Sequence, residues 1–238
     1  MTSPGPTVTD ALLAPSAHPD PTQPLLTFYD DASGERTELS GLTLANWAAK
    51  TANFVRDELG LAPGEAVVVD LPVHWQTAAV LLGVWWAGCE VRTAPDPSAP
   101  ATFCAASAVE DHADGEVIAV PLDAFAMAVP GLPMGVIDFG SAVRVHGDRF
   151  VPSGAGPVAL DGSSVTAVLT AAGKAAGSAG LRRGDRVLST HGWTNAQALI
   201  DGLIAVFAAG CSLVQVAHAD PTSPGRHAET ERVTTTLS

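Results

Sequence analysis

Ala66-Val-Val-Val69 is a short, continuous apolar run, and such a run forms a strand covered on both faces, as parallel strands are. The turn Pro63-Gly64-Glu65 precedes it. An apolar helical stretch from about Trp75 to Ala87, a stop at Gly88 and a second strand, Cys89 to Thr93, complete a βαβ unit with short connections. The series then recurs. Gly180-Leu-Arg-Arg-Gly-Asp185 echoes Leu59-Gly-Leu-Ala-Pro-Gly-Glu65, and each leads to a strand, an apolar helix and an Ala-Gly stop, Ala87-Gly88 or Ala209-Gly210. Two copies make similar βαβ units, whereas a solenoid needs at least three. The fold expected is α/β and three-layer, with mainly parallel sheets and helices on both faces.

Around the units, Leu25 to Asp30 and Arg36 to Ser40 flank the polar turn Asp31 to Gly34, a hairpin signal. Apolar positions from Leu44 to Leu59 recur at threes and fours and predict a helix ending at Gly60. The Ala-rich segment from Ala99 to Val109 reads as a shorter helix before the strand Val117 to Val120, and Gly135–Phe139 and Val143–His146 read as strands. Pro152 to Pro157 reads as a linker before a helix from Val165 to Ala176. Residues 1–24, proline-rich and without a basic start, read as a disordered leader, and 220–238 as a flexible tail. With no export signal, a cytoplasmic location is expected.

The formal charge of -13 repels phosphate backbones and anionic membranes, so nucleic acid and membrane are not expected partners. Cys89, Cys104 and Cys211 lie far apart in apolar surroundings and read as buried hydrophobes rather than a disulfide or metal set. Trp75, Trp85 and Trp86 share one helix, where a core role outweighs stacking on a ligand.

The ordered series from Leu25 to about Pro100, with Thr27-Phe28-Tyr29, Arg36-Thr-Glu-Leu39, Pro63-Gly64-Glu65 and Ala87-Gly88, resembles the opening segment of the AMP-binding, adenylate-forming superfamily of acyl-CoA synthetases. Gly184-Asp185-Arg186-Val187, then His191-Gly192-Trp193-Thr194-Asn195, resembles that family's segment beyond its phosphate loop. The resemblance implies a truncated N-terminal synthetase domain, with 25–60 and 158–219 forming one subdomain and 61–157 the other. It also implies ATP or AMP as cofactor, but the chain departs from the pattern there. Asp161-Gly162-Ser163-Ser164 stands in place of the Ser/Thr/Gly-rich loop ending in Pro-Lys-Gly. The adenine motif and catalytic lysine of the family would fall beyond residue 238. No catalytic, cofactor or metal residue is therefore assigned, and ATP and AMP are disfavoured.

The expectation is a degenerate, non-catalytic homologue that binds a small molecule or a protein partner, with a homo-oligomer left open. The alternatives are half of a two-chain ligase or nucleotide-binding enzyme, and an interaction module without a ligand. His191, Trp193, Thr194 and Asn195 form the candidate pocket, since they follow a strand and precede a helix, where open α/β sheets place ligands; Asn195 reads equally as the helix N-cap. Trp193 is expected to border a cavity. Arg144, His146 and Arg149 form a candidate anion turn, weighed against a surface turn of self-satisfied charges.

Overall fold

A computed structural model describes residues 5–222 and 225–237. It contains two five-stranded sheets. The first has the order β10 (Thr235–Thr236), β8 (Arg186–Ser189), β9 (Ser212–Ala217), β1 (Pro24–Asp30), β2 (Glu35–Ser40), with every pairing parallel except the β1–β2 hairpin. The second, wholly parallel, has the order β4 (Glu90–Arg92), β3 (Ala66–Asp70), β5 (Ala101–Ala105), β6 (Glu116–Val120), β7 (Ile137–Asp138).

The longer helices pack on the inner faces of the sheets. Helix α2 (Gly41–Asn53), capped by the Ser40 hydroxyl, packs on β1 and β2 and against α3 (Trp75–Trp86), which covers β3 and β4. Helix α5 (Val165–Ser178) lies against a second helical run, α6 (Ala196–Leu199), a π turn (Ile200–Ile204) and α7 (Ala205–Ala208), which packs on β9. One continuous core joins the inner faces of both sheets, with Trp75, Trp85, Phe54, Phe103 and Phe207 among its fully buried side chains. Strand alternation sorts the residues: Leu213 faces the common core while Val214 and Val216 face the other way.

The two βαβ units match at the level of single hydrogen bonds. Gly64 N donates to Gly88 O at 2.9 Å, and Gly184 N to Gly210 O at 3.0 Å. Glu65 and Asp185 each turn their carboxylate onto a backbone N–H three residues back, of Ala62 and Arg182. The Cys89 and Cys211 thiols then point at the Ala62 and Arg182 carbonyls. Burial raises both thiols, Cys89 to about 12, so they stay protonated and inert.

Several expectations need correction. The leader, where it is described, is not disordered: α1 (Val8–Leu12) starts at a capping box of Thr7 and Asp10, buries Val8 and Leu12, and places the Thr9 hydroxyl on Leu82 O at 2.5 Å. It sits between α3, α5 and α7. Residues 1–4 lie outside the described residues. We expect Thr9→Ala to lower stability by about 1 kcal/mol, the net worth of one buried hydrogen bond to a carbonyl already paired within its helix; an unchanged midpoint in urea would show the contact to be idle.

The tail also docks. Helix α8 (Arg226–Thr230) and the turn after it cover the outer face of the first sheet, where Leu188, Val214 and Val216 meet Ala228 and Val233, and β10 extends the sheet's edge beside β8. Glu231 inserts between Arg36 and Arg186 and accepts the Tyr29 hydroxyl at 2.5 Å.

The Ala-rich segment gives the strand β5 and only a short 3-10 turn, Ala106–Asp111. A central parallel strand is buried on both faces, and this context overrides helix propensity. Val143–Val145 is helical, following α4 (Phe139–Ala142), and only Ile137–Asp138 of the preceding segment pairs as a strand. The linker at 152–157 is tied down, Gly156 N donating to Gly88 O at 3.0 Å.

Candidate functional site

The carboxyl ends of parallel strands from both sheets converge on one cleft. From the first sheet come Asp30 at the end of β1, Thr190 and Gly192 after β8, and Ala217 and His218 at the end of β9. From the second come Pro72, Val73 and His74 after β3, and Leu122 after β6. The enclosed volume is 330 Å³, within the range of small-ligand sites. A contiguous outer part, lined by Glu35, Arg36, Asp123 and Ala124 together with Asp30, His74 and Leu122, opens to solvent.

Leu122 (φ 54°) and His218 (φ 47°) both hold left-handed backbones without being glycine. Such strain persists where surrounding structure enforces it, and it gathers at functional sites. The His218 ring sits 2.8 Å from Asp30 Oδ1.

His74 is the buried polar centre, 4% exposed. Its Nδ1 caps α3 by accepting the Gln76 N–H at 3.1 Å, so the proton of the neutral ring is on Nε2. Burial holds its pKa down to about 4, and the ring is neutral at physiological pH. Nε2 has no hydrogen-bond partner, although Glu35 Oε1 is 3.4 Å away. Glu35 is raised above the ordinary glutamate value by burial, with the nearby carboxylates of Asp123 and Asp30 adding to the effect.

Of the residues singled out in the sequence, His191, Thr194 and Asn195 line a shallow depression with Gln197, Ala198 and Asp201. The Asn195 carboxamide accepts the Ala198 N–H at 3.0 Å and is the N-cap of α6. Trp193 corrects the expectation placed on it. Its indole is 4% exposed and belongs to the core, because Gly202 leaves the room it fills, a Cβ there lying 3.2 Å from the indole nitrogen. Its neighbours Thr190 and Gly192, instead, reach the cleft.

The candidate anion turn does not converge. Arg144 donates to the carbonyls of Phe125 and Ala126, and His146 faces Glu58 Oε2 at 3.0 Å. Arg149 uses its backbone carbonyl to accept from Asn53.

The turn at 161–164 is closed from within. The Gly162 N–H donates to the buried Glu90 carboxylate at 2.6 Å, and Asp161 takes both the N–H and hydroxyl of Thr93. The Gly162 N–H is thus already taken by a protein carboxylate. Among the described residues no group of three or more His, Cys, Asp or Glu side chains is placed to hold a metal, and no helix is long and apolar enough to cross a membrane.

Two mainly parallel sheets with helices around them are an architecture also found in acyl-CoA synthetases. A Brucella canis acyl-CoA synthetase superposes with a TM-score of 0.80 at 19% identity, over 98% of this chain and 47% of that one. An acetoacetyl-CoA synthetase from Streptomyces lividans gives 0.70 at 18% identity, over 96% and 41%. A Mycobacterium tuberculosis fatty acyl CoA synthetase gives 0.68 at 16%, over 95% and 48%. The chain spans less than half the length of these enzymes, and the likeness is one of fold. No family model matches it. A Mycobacterium tuberculosis (strain ATCC 25618 / H37Rv) protein described as "TIGR03089 family protein" is 49% identical over 245 residues, the whole of both chains, and this chain belongs to that family.

Proposed function

We propose that this protein is a cytoplasmic, non-adenylating relative of the acyl-CoA synthetases that binds a small molecule in the cleft between the carboxyl ends of its two sheets. The observation that carries the reading is the cleft itself: a 330 Å³ space built by strand ends of both sheets, with strained Leu122 and His218 on its walls. Supporting the non-adenylating part, the turn at 161–164 offers an incoming phosphate the carboxylates of Glu90 and Asp161. Adenylation requires positive charge and free N–H groups aimed at the phosphates.

The test has two arms. ATP–pyrophosphate exchange with a panel of carboxylic acids is expected to stay at background. A fragment screen read by thermal shift is expected to give hits that Val73→Trp abolishes, since this loop residue fills the cleft without entering a strand. Exchange activity above background sinks the first part; hits unaffected by Val73→Trp, or none at all, sink the second.

A further inference from the structure

We infer that the cleft takes a small organic ammonium ion with an oxygen acceptor beside its charge and an apolar body. The inference rests on the reading of the cleft as a ligand site and specifies the ligand's chemistry.

Three carboxylates from separate elements line the outer part of the cleft: Asp30 at the end of β1, which also reaches the inner part, Glu35 at the start of β2 and Asp123 in the turn after β6. Two are already occupied. Asp123 accepts the N–H groups of Phe125 and Met127, and Asp30 accepts the Ala32 N–H and faces His218. Glu35 accepts the Thr37 hydroxyl at Oε1, and the buried Trp75 indole also lies against it.

Among the described residues no guanidinium or ammonium group is paired with Glu35. Arg36 lies on the wall, but its guanidinium is drawn to the opposite side of β2 by Tyr29, Glu38 and Glu231. His74 is neutral at physiological pH. A carboxylate ligand or a phosphate would therefore bring a further negative charge into a site already raising the pKa of Glu35, whereas an ammonium ion relieves it.

The second observation is the orphan donor. His74 Nε2–H is buried, unpartnered and 3.4 Å from the Glu35 carboxylate. Leaving such a donor unpaired is costly, and a ligand oxygen beside the ammonium group would satisfy it. Phe28, Val73 and Leu122 supply an apolar wall for the remainder, and the 330 Å³ of the inner cleft keeps that apolar body small.

Calorimetric titration of the intact protein with 2-amino-1-phenylethanol, 3-phenylpropionate and 1-phenylethanol tests this. The amino alcohol is expected to bind at least about tenfold more tightly than either other probe, and Glu35→Gln to lose about tenfold for the amine with little change for 1-phenylethanol. Melting of the Glu35→Gln variant checks that it folds, and Glu35→Asp, retaining the charge, should keep part of the affinity. Equal or tighter binding of the carboxylate, or undiminished amine binding by Glu35→Gln, overturns the ammonium assignment while leaving the cleft a ligand site. Failure of all probes to bind also overturns it, and the fragment screen with Val73→Trp then decides separately whether the cleft binds anything.

Discussion

Gly88→Ala is expected to cost at least about 3 kcal/mol, enough to leave a protein of ordinary stability largely unfolded near its working temperature. Gly88 has φ +84°, and a Cβ there would stand 2.3 Å from the carbonyl oxygen of Gly154, a backbone atom that cannot swing aside. The Gly88 carbonyl also accepts from both Gly64 N and Gly156 N, so any shift that relieves the clash strains two further hydrogen bonds. Gly34→Ala is the control. Its φ is +78° but nothing lies within 4 Å of the added methyl, so only the left-handed penalty of about 1–2 kcal/mol applies. Equal losses in urea unfolding for the two variants would show that the crowding at Gly88 contributes nothing.

Glu231→Ala is expected to cost about 3 kcal/mol and to detach the segment from 225 to 237. The carboxylate is almost fully buried between Arg36 and Arg186, and removing it strands Arg186, itself largely buried, without its main counter-ion. The same group sets an acid limit. Against the upward pull of burial, the Tyr29 hydroxyl and the two guanidinium groups hold its folded pKa down to about 2, below the ordinary 4.5. Its contribution is therefore complete above about pH 4.5 and is lost as pH falls towards 2. Wild type should lose stability across that window more steeply than Glu231→Gln. Parallel curves for the two would mean the network is not coupled to folding.

The βαβ units were legible because their punctuation is local. Gly64 and Gly184 before the strands, and Gly88 and Gly210 after the helices, announce positive φ directly in the sequence, and the structure uses all four in that way. The ends of the chain were opaque for the opposite reason. Thr7 and Asp10 carry a capping-box spacing, but only Val8 and Leu12 among their neighbours bury apolar surface fully, and flanking prolines masked the pattern. Glu231, in a stretch of Thr, Arg and Glu, reads as a solvated charge until Arg36 and Arg186 arrive from far away. The cleft was half visible. The rule that ligands sit beyond strand ends pointed to the segment after β8, and Thr190 and Gly192 do line it. Asp30, Glu35, His74 and Leu122 belong to no motif, and only the convergence of two sheets brings them together.

Strand order governs when this chain can finish folding on the ribosome. The second sheet draws all its strands from residues 66–138, so its neighbours emerge within a short stretch of synthesis. In the first sheet β1 pairs with β9, Leu26 lying opposite Leu213, and β8 waits for β10 at 235–236. The β1–β2 hairpin must therefore persist with one edge open while nearly all the rest of the polypeptide is made. Long-range parallel pairing of this kind closes slowly and exposes an adhesive edge meanwhile. Nascent chains stalled before residue 212 should accordingly be trapped by holdase chaperones through the hairpin, while the later sheet is already protected from protease.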